Sequence, residues 1–157
     1  MKVLVLYDSV SESKMTKQVA ETIAETVKEK GIVVDSFYVK DIDAAKVKEY
    51  DYLIAGAPTM AFRATAGIMG FLNNLGDGEF SGRQAAAFDT QIQAAITGNA
   101  TKGIEKKLNR LGFKILKEPL VVYVERKPKE KNLWQFKAGQ LEKTKVWAEE
   151  LAKSLSG

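Results

Sequence analysis

The sequence predicts a doubly wound α/β domain, a parallel sheet with helices packed on both faces. Three patterns carry the prediction. Short apolar runs such as Val3-Leu4-Val5-Leu6 are continuous rather than alternating, as strands buried on both faces require. Between the runs lie apolar stripes at helical spacing, of which Met15, Val19, Ile23 and Val27 form the first. Glycines close several stripes, where a left-handed cap is wanted.

Taken in order, Val3–Tyr7 reads as a buried strand and the stripe from Met15 to Val27 as a helix capped by Gly31. Ile32–Val39 is a second strand and Tyr52–Ala57 a third. Ile68, Leu72 and Leu75 mark a short helix stopped by Gly76, and Gln84–Phe88 is a fourth strand. Ile104, Leu108 and Leu111 define a helix ended by Gly112. Phe113–Leu116 and Leu120–Val124 form a strand region interrupted at Pro119, and Leu141, Ala148, Leu151 and Leu155 a final helix. Strands alternating with helices build a parallel sheet, with the wholly apolar first strand in its middle. At 157 residues, without repeat or linker, the chain reads as one domain over 1–157.

Composition removes several chemistries. The chain has no cysteine and no histidine, which excludes disulfides, thiol redox chemistry, His/Cys zinc sites and His-based triads. Redox chemistry would need a cofactor. No apolar run approaches membrane-span length, and a cytoplasmic protein is expected. The net charge is +4, and mixed runs such as Lys28-Glu29-Lys30 read as solvated helix faces, so no nucleic acid is expected. The densest basic segment, Arg126-Lys127-Pro128-Lys129-Glu130-Lys131, has Trp134 and Phe136 nearby and leaves an anionic partner open.

In a doubly wound sheet, ligands sit beyond the carboxyl ends of the strands, where strand order reverses. That points to three loops. The first, Ser9-Val10-Ser11-Glu12-Ser13-Lys14, offers three hydroxyls ahead of a helix. It reads either as a phosphate cradle or as a serine-rich helix cap. The second, Ala57 to Thr65, holds Met60 and Phe62 in a connection where a flat aromatic ligand or a partner chain would cover them. The third begins at Asp89-Thr90-Gln91 and continues through Gly98-Asn99-Ala100. It is long for such a connection unless part of it is helical.

These loops carry a resemblance. "GAPTM" at Gly56–Met60 followed by "GFLNNL" at Gly70–Leu75 is similar to the Gly-x-Pro-Thr loop and helix of short flavodoxins and quinone-reductase-like relatives. "AAFDTQI" at Ala86–Ile92 and "GNATKGIEKKLNRLGFKI" at Gly98–Ile115 resemble short prokaryotic flavodoxin-like proteins. The chain thus resembles the flavodoxin family over nearly its whole length. A receiver domain of the same strand order would want an Asp where Ala55-Gly56-Ala57 stands.

The resemblance implies a three-layer flavodoxin-like sandwich with a five-stranded parallel sheet of order 2-1-3-4-5, for which the family is itself the reference example. It also implies FMN as cofactor and a redox partner protein, for an electron-transfer flavoprotein or an FMN-dependent oxidoreductase; the altered first loop leaves open the alternative of a flavodoxin-fold module without bound flavin, acting as a protein-partner or regulatory domain. Ser9, Ser11, Glu12, Ser13 and Lys14 fall on the family's phosphate loop. Pro58, Thr59, Met60, Ala61 and Phe62 fall on one side of the ring site, and Asp89, Thr90 and Gln91 on the other. The family pattern Ser/Thr-x-Thr-Gly-x-Thr has Glu12 in place of its glycine and Lys14 in place of its last threonine. A glycine position at positive φ would strain Glu12, while Lys14, turned inward, would offset the repulsion of the Glu12 carboxylate. The turn Met60-Ala61-Phe62-Arg63 lacks glycine, so reaching positive φ there is costly; two-electron exchange is expected over single-electron shuttling.

Overall fold

The computed structural model describes residues 1–94 and 98–156. Strands are β1 (Lys2–Tyr7), β2 (Val33–Tyr38), β3 (Tyr52–Met60), β4 (Arg63–Ala64), β5 (Gln84–Ile92), β6 (Lys114–Ile115), β7 (Leu120–Arg126) and β8 (Trp134–Phe136). Helices are α1 (Met15–Glu29), α2 (Ala66–Asn73), α3 (Ala100–Leu111) and α4 (Gln140–Ser156), with a 3-10 turn at Ala44–Glu49. Neighbouring strands run β2-β1-β3-β5-β7-β8, with β4 paired to β3 and β6 to β5. The first five are mutually parallel and give the expected 2-1-3-4-5 arrangement. β8 closes the edge antiparallel to β7. β4 and β8 were not expected from the sequence, each being too short to show a period; the 3-10 turn fills the place of the short turn or helix expected between the second and third strands.

Period-two alternation in β1 splits the core in two. Leu4 and Leu6 face a cluster with Ile68, Leu72, Ile104 and Leu108 of α2 and α3. Val3, Val5 and Tyr7 face the other way, against Val19, Ile23, Trp147 and Leu151 of α1 and α4. Trp147 is therefore a core residue, its indole N–H donating to the Glu118 carbonyl at 2.9 Å. The α1 stripe is buried as its spacing predicts, and Gly31 and Gly112 sit at φ 83° and 106° behind their helices.

Two strands run further than expected. β3 continues through Pro58-Thr59-Met60, and β5 through Asp89-Thr90-Gln91-Ile92, with Pro58 paired to Thr90. Residues assigned to loops from the sequence are therefore held in the sheet. Pairing with β4 at the end of β3 and with β7 at the end of β5 extends β structure into these segments of mixed polarity.

Candidate functional site

The carboxyl ends of β1, β3, β5 and β7 surround a cavity of about 320 Å³. That is near the lower end of the roughly 300–1,000 Å³ of small-molecule sites. Val10 and Ser11 line it from the first loop, with Met15 and Thr16 from the start of α1. Pro58, Thr59 and Met60 form a second wall, and Thr90, Gln91 and Ile92 a third. Val124, Arg126 and Trp134 close the fourth side.

Hydroxyl and carboxylate side chains tie these walls together. Thr16 and Thr90 share a hydrogen bond of 2.9 Å between their hydroxyls, fixing α1 to β5. The Thr59 hydroxyl donates to Asp89 Oδ2 and accepts from the Ala100 amide, both at 2.9 Å, which joins β3, β5 and the start of α3. Gln91 Nε2 also donates to Asp89 Oδ2, at 2.8 Å. Asp8, at the end of β1, accepts from the Thr65 hydroxyl and from the Ser9 amide. Asp89 is fully buried. Burial pushes its pKa up to about 6, against the opposing pull of the Gln91 and Thr59 bonds.

The first loop departs from expectation in two ways. Glu12 does not have positive φ; Lys14 does, at 53°. The strain of a left-handed L-residue, about 1–2 kcal/mol, therefore falls two residues later than the motif suggests. Lys14 is exposed and does not turn into the cavity. Glu12 is also exposed and lies in a shallow groove with Lys129 and Lys131, away from the main cavity. Ser13 accepts a 2.8 Å bond from the Trp134 amide, which pins the loop to β8. Lys14→Gly should raise stability by about 1 kcal/mol, while Glu12→Gly should bring no strain relief. Urea midpoints of the two variants will separate these expectations.

Two features of this loop call for an anion. No side chain caps α1, and the first amides of any helix lack intrahelical acceptors. The Ser9 hydroxyl is buried and has no partner among the described residues, an arrangement uncommon in folded proteins. A phosphate fits this chemistry. The serine-rich helix cap, the other reading of this stretch, is not what forms: neither Ser9, Ser11 nor Ser13 caps α1.

The second loop is a two-residue hairpin turn between β3 and β4, with Ala61 at φ 47° and Phe62 at φ 72°. Such turns match the twist of the flanking strands but favour Asn or Gly. Here two L-residues hold it, and Phe62 bridges to Gly98. Positive φ is thus already present in the turn rather than reached only on rearrangement. Of the third loop, residues 95–97 lie outside the described residues. Asn99 caps α3 by accepting from the Thr101 amide.

The expected site residues thus divide. Ser11, Pro58, Thr59, Met60, Thr90 and Gln91 line the cavity; Asp89 and Ser13 hold its walls; Ser9 is buried at the start of the first loop with its hydroxyl unpartnered among the described residues; Glu12, Lys14, Ala61 and Phe62 lie outside its lining. Sequence reasoning did not place Val10, Met15, Thr16, Ile92, Val124, Arg126 or Trp134 in the cavity. Only the basic segment with aromatics near it signalled the last two.

The flavodoxin family model matches residues 5–134. No curated protein matches the chain. Among solved structures, a flavodoxin from the domain Archaea aligns over 100% of both chains at 21% identity and TM-score 0.73. Flavodoxin 2 from Bacillus cereus aligns over 100% of both at 20% identity and TM-score 0.79. The rubredoxin oxygen:oxidoreductase of Desulfovibrio gigas aligns at 22% identity and TM-score 0.73, with 99% of this chain covering 36% of that longer one. These likenesses show the flavodoxin-like fold. With the family model spanning most of its length, the chain belongs to the flavodoxin family.

Proposed function

We propose that the protein binds one FMN per chain in the cavity between the three loops and passes electrons or hydride equivalents between partner proteins. One observation carries this reading: a buried, unpartnered Ser9 hydroxyl and an uncapped helix start stand at the two ends of the cavity-lining loop. A phosphate there would give both their missing partner. Ser9, Ser11 and the amides opening α1 would hold it. Pro58, Thr59 and Met60 would flank the ring on one side, and Thr90, Gln91 and Ile92 on the other. FMN supplies the electron chemistry, which a chain without Cys or His cannot supply itself.

The protein's own contribution is rigidity. The Thr16–Thr90 and Thr59–Asp89 bonds fix the spacing of the walls, and preformed walls bind a ring with less ordering cost. Met60 and Phe62 are 50% and 61% exposed, which leaves an apolar edge for exchange with a partner. The Ala61–Phe62 turn, braced by the β3–β4 ladder and by Gly98, favours two-electron exchange because rearranging it breaks those contacts. Among the described residues no helix is long and apolar enough to cross a membrane, and a cytoplasmic location is part of this reading.

Titrating FMN and following flavin fluorescence tests it. Saturable quenching at one FMN per chain, with riboflavin binding more weakly, is the expected result. No saturable quenching at micromolar protein would remove the cofactor and leave a flavin-free module that binds a protein partner.

A further inference from the structure

We propose that the face around the cavity mouth docks an acidic electron-carrier protein, with the β7–β8 hairpin supplying the cationic rim. This inference rests on the redox reading above for what the partner does, but on charge and exposure for what it looks like.

The charge is not spread over the chain as the mixed helix patterns suggest. The segments around the cavity, residues 9–14, 58–65, 89–94 and 124–137, carry seven cations and three carboxylates at the surface, besides buried Asp89. The rest of the chain, with Asp89, holds seventeen of each. These four segments therefore carry a surface excess of four positive charges, equal to the net charge of the whole chain. Five of the seven cations lie between Arg126 and Lys137.

The hairpin presents them in a fixed shape. Lys127 N–H donates to the Leu133 carbonyl and Leu133 N–H to the Glu130 carbonyl. The Arg126 guanidinium donates to the Lys131 carbonyl at 2.6 Å and lies 4.5 Å from the centre of the Trp134 ring. The Trp134–Ser13 bond holds the hairpin against the first loop, and Lys137 Nζ donates to Gln93. The carboxylates on this face are Glu12, Glu125 and Glu130, and Glu125 already accepts from Gln135.

Beside the rim lies an apolar patch. Val10, Met60, Phe62 and Ile92 are 50–61% exposed, and three of them line the cavity. An apolar centre with a charged rim is the anatomy of a protein interface. Nucleic acid would instead favour an uninterrupted cationic track with stacking rings. Cations at the rim attract an acidic partner and orient it before contact.

The test uses the whole chain, with and without FMN, two protein probes, an acidic plant-type ferredoxin and basic cytochrome c, and two other polyanions, phosphatidylserine vesicles and duplex DNA. Binding is measured at about 10 mM and about 150 mM ionic strength, between which the Debye length falls from about 30 Å to about 8 Å. Ferredoxin should bind at least about tenfold more tightly than cytochrome c at low salt, and lose that advantage at high salt. Lys129→Glu/Lys131→Glu should weaken ferredoxin binding about tenfold while leaving FMN affinity unchanged. Lys30→Glu/Lys153→Glu makes the same change in net charge at the opposite end of the sheet and should have far less effect. Equal binding of both probes, equal effects of the two double variants, or preference for phosphatidylserine vesicles or duplex DNA over ferredoxin would overturn the proposal. Ferredoxin binding without FMN binding would retain the docking face and remove the flavin reading. FMN binding without ferredoxin preference would do the reverse.

Discussion

In the flavin-free protein, the unfolding free energy of the wild type relative to Asp89→Asn should fall by about 3 kcal/mol as pH rises from about 3 to about 7. Burial raises the pKa of Asp89 from 3.8 to about 6 in the folded protein. Below the lower value both states hold the proton and no penalty exists. Between the two values the native state keeps a proton that the unfolded chain has released, so stability falls as pH rises. Above the upper value both are ionised and the full penalty remains. Asparagine keeps an oxygen for the Thr59 and Gln91 bonds and cannot ionise. Urea unfolding of both proteins at half-unit pH steps reads the difference directly. Parallel stability curves would mean that Asp89 titrates alike in the folded and unfolded states, its burial offset by a partner.

Gly56→Ala should destabilise the protein by about 3 kcal/mol, at the upper end of ordinary overpacking. Gly56 is paired with Phe88 across β3 and β5. A Cβ on Gly56 would lie 2.2 Å from the Phe88 ring, and Phe88 is fully buried in the α1–α4 layer. The ring cannot swing away without opening that layer, where packing is as dense as in a molecular crystal. Phe88→Leu should cost about 1 kcal/mol alone and should recover part of the Gly56→Ala loss when combined with it. The coupling measured by that double-mutant cycle identifies steric contact as the cause; strictly additive losses would rule it out. The Gly56 carbonyl also accepts from the Asp8 amide at 3.1 Å, so the same change should loosen the first loop.

The sequence by itself determined the layered α/β fold, because its signals are local. Continuous apolar runs and four-residue stripes depend only on which side of a strand or helix is buried, and Val19, Ile23 and Val27 are buried as their spacing requires. It also located Ser11, Thr59, Met60, Thr90 and Gln91 at the cavity, since a parallel sheet brings its strand ends together whatever the details of the loops. Tertiary structure decided what depends on residues far apart in the chain. Trp134 meets Ser13 across 121 positions, and Thr16 meets Thr90 across 74; no local period encodes either meeting. The strain at Lys14 rather than Glu12 is likewise set by how the loop must enter α1 while tied to β8. The fate of Asp89 was hidden for the same reason. Its identity is read from one letter, but its raised pKa comes from burial beneath strands and helices that only the folded chain assembles around it.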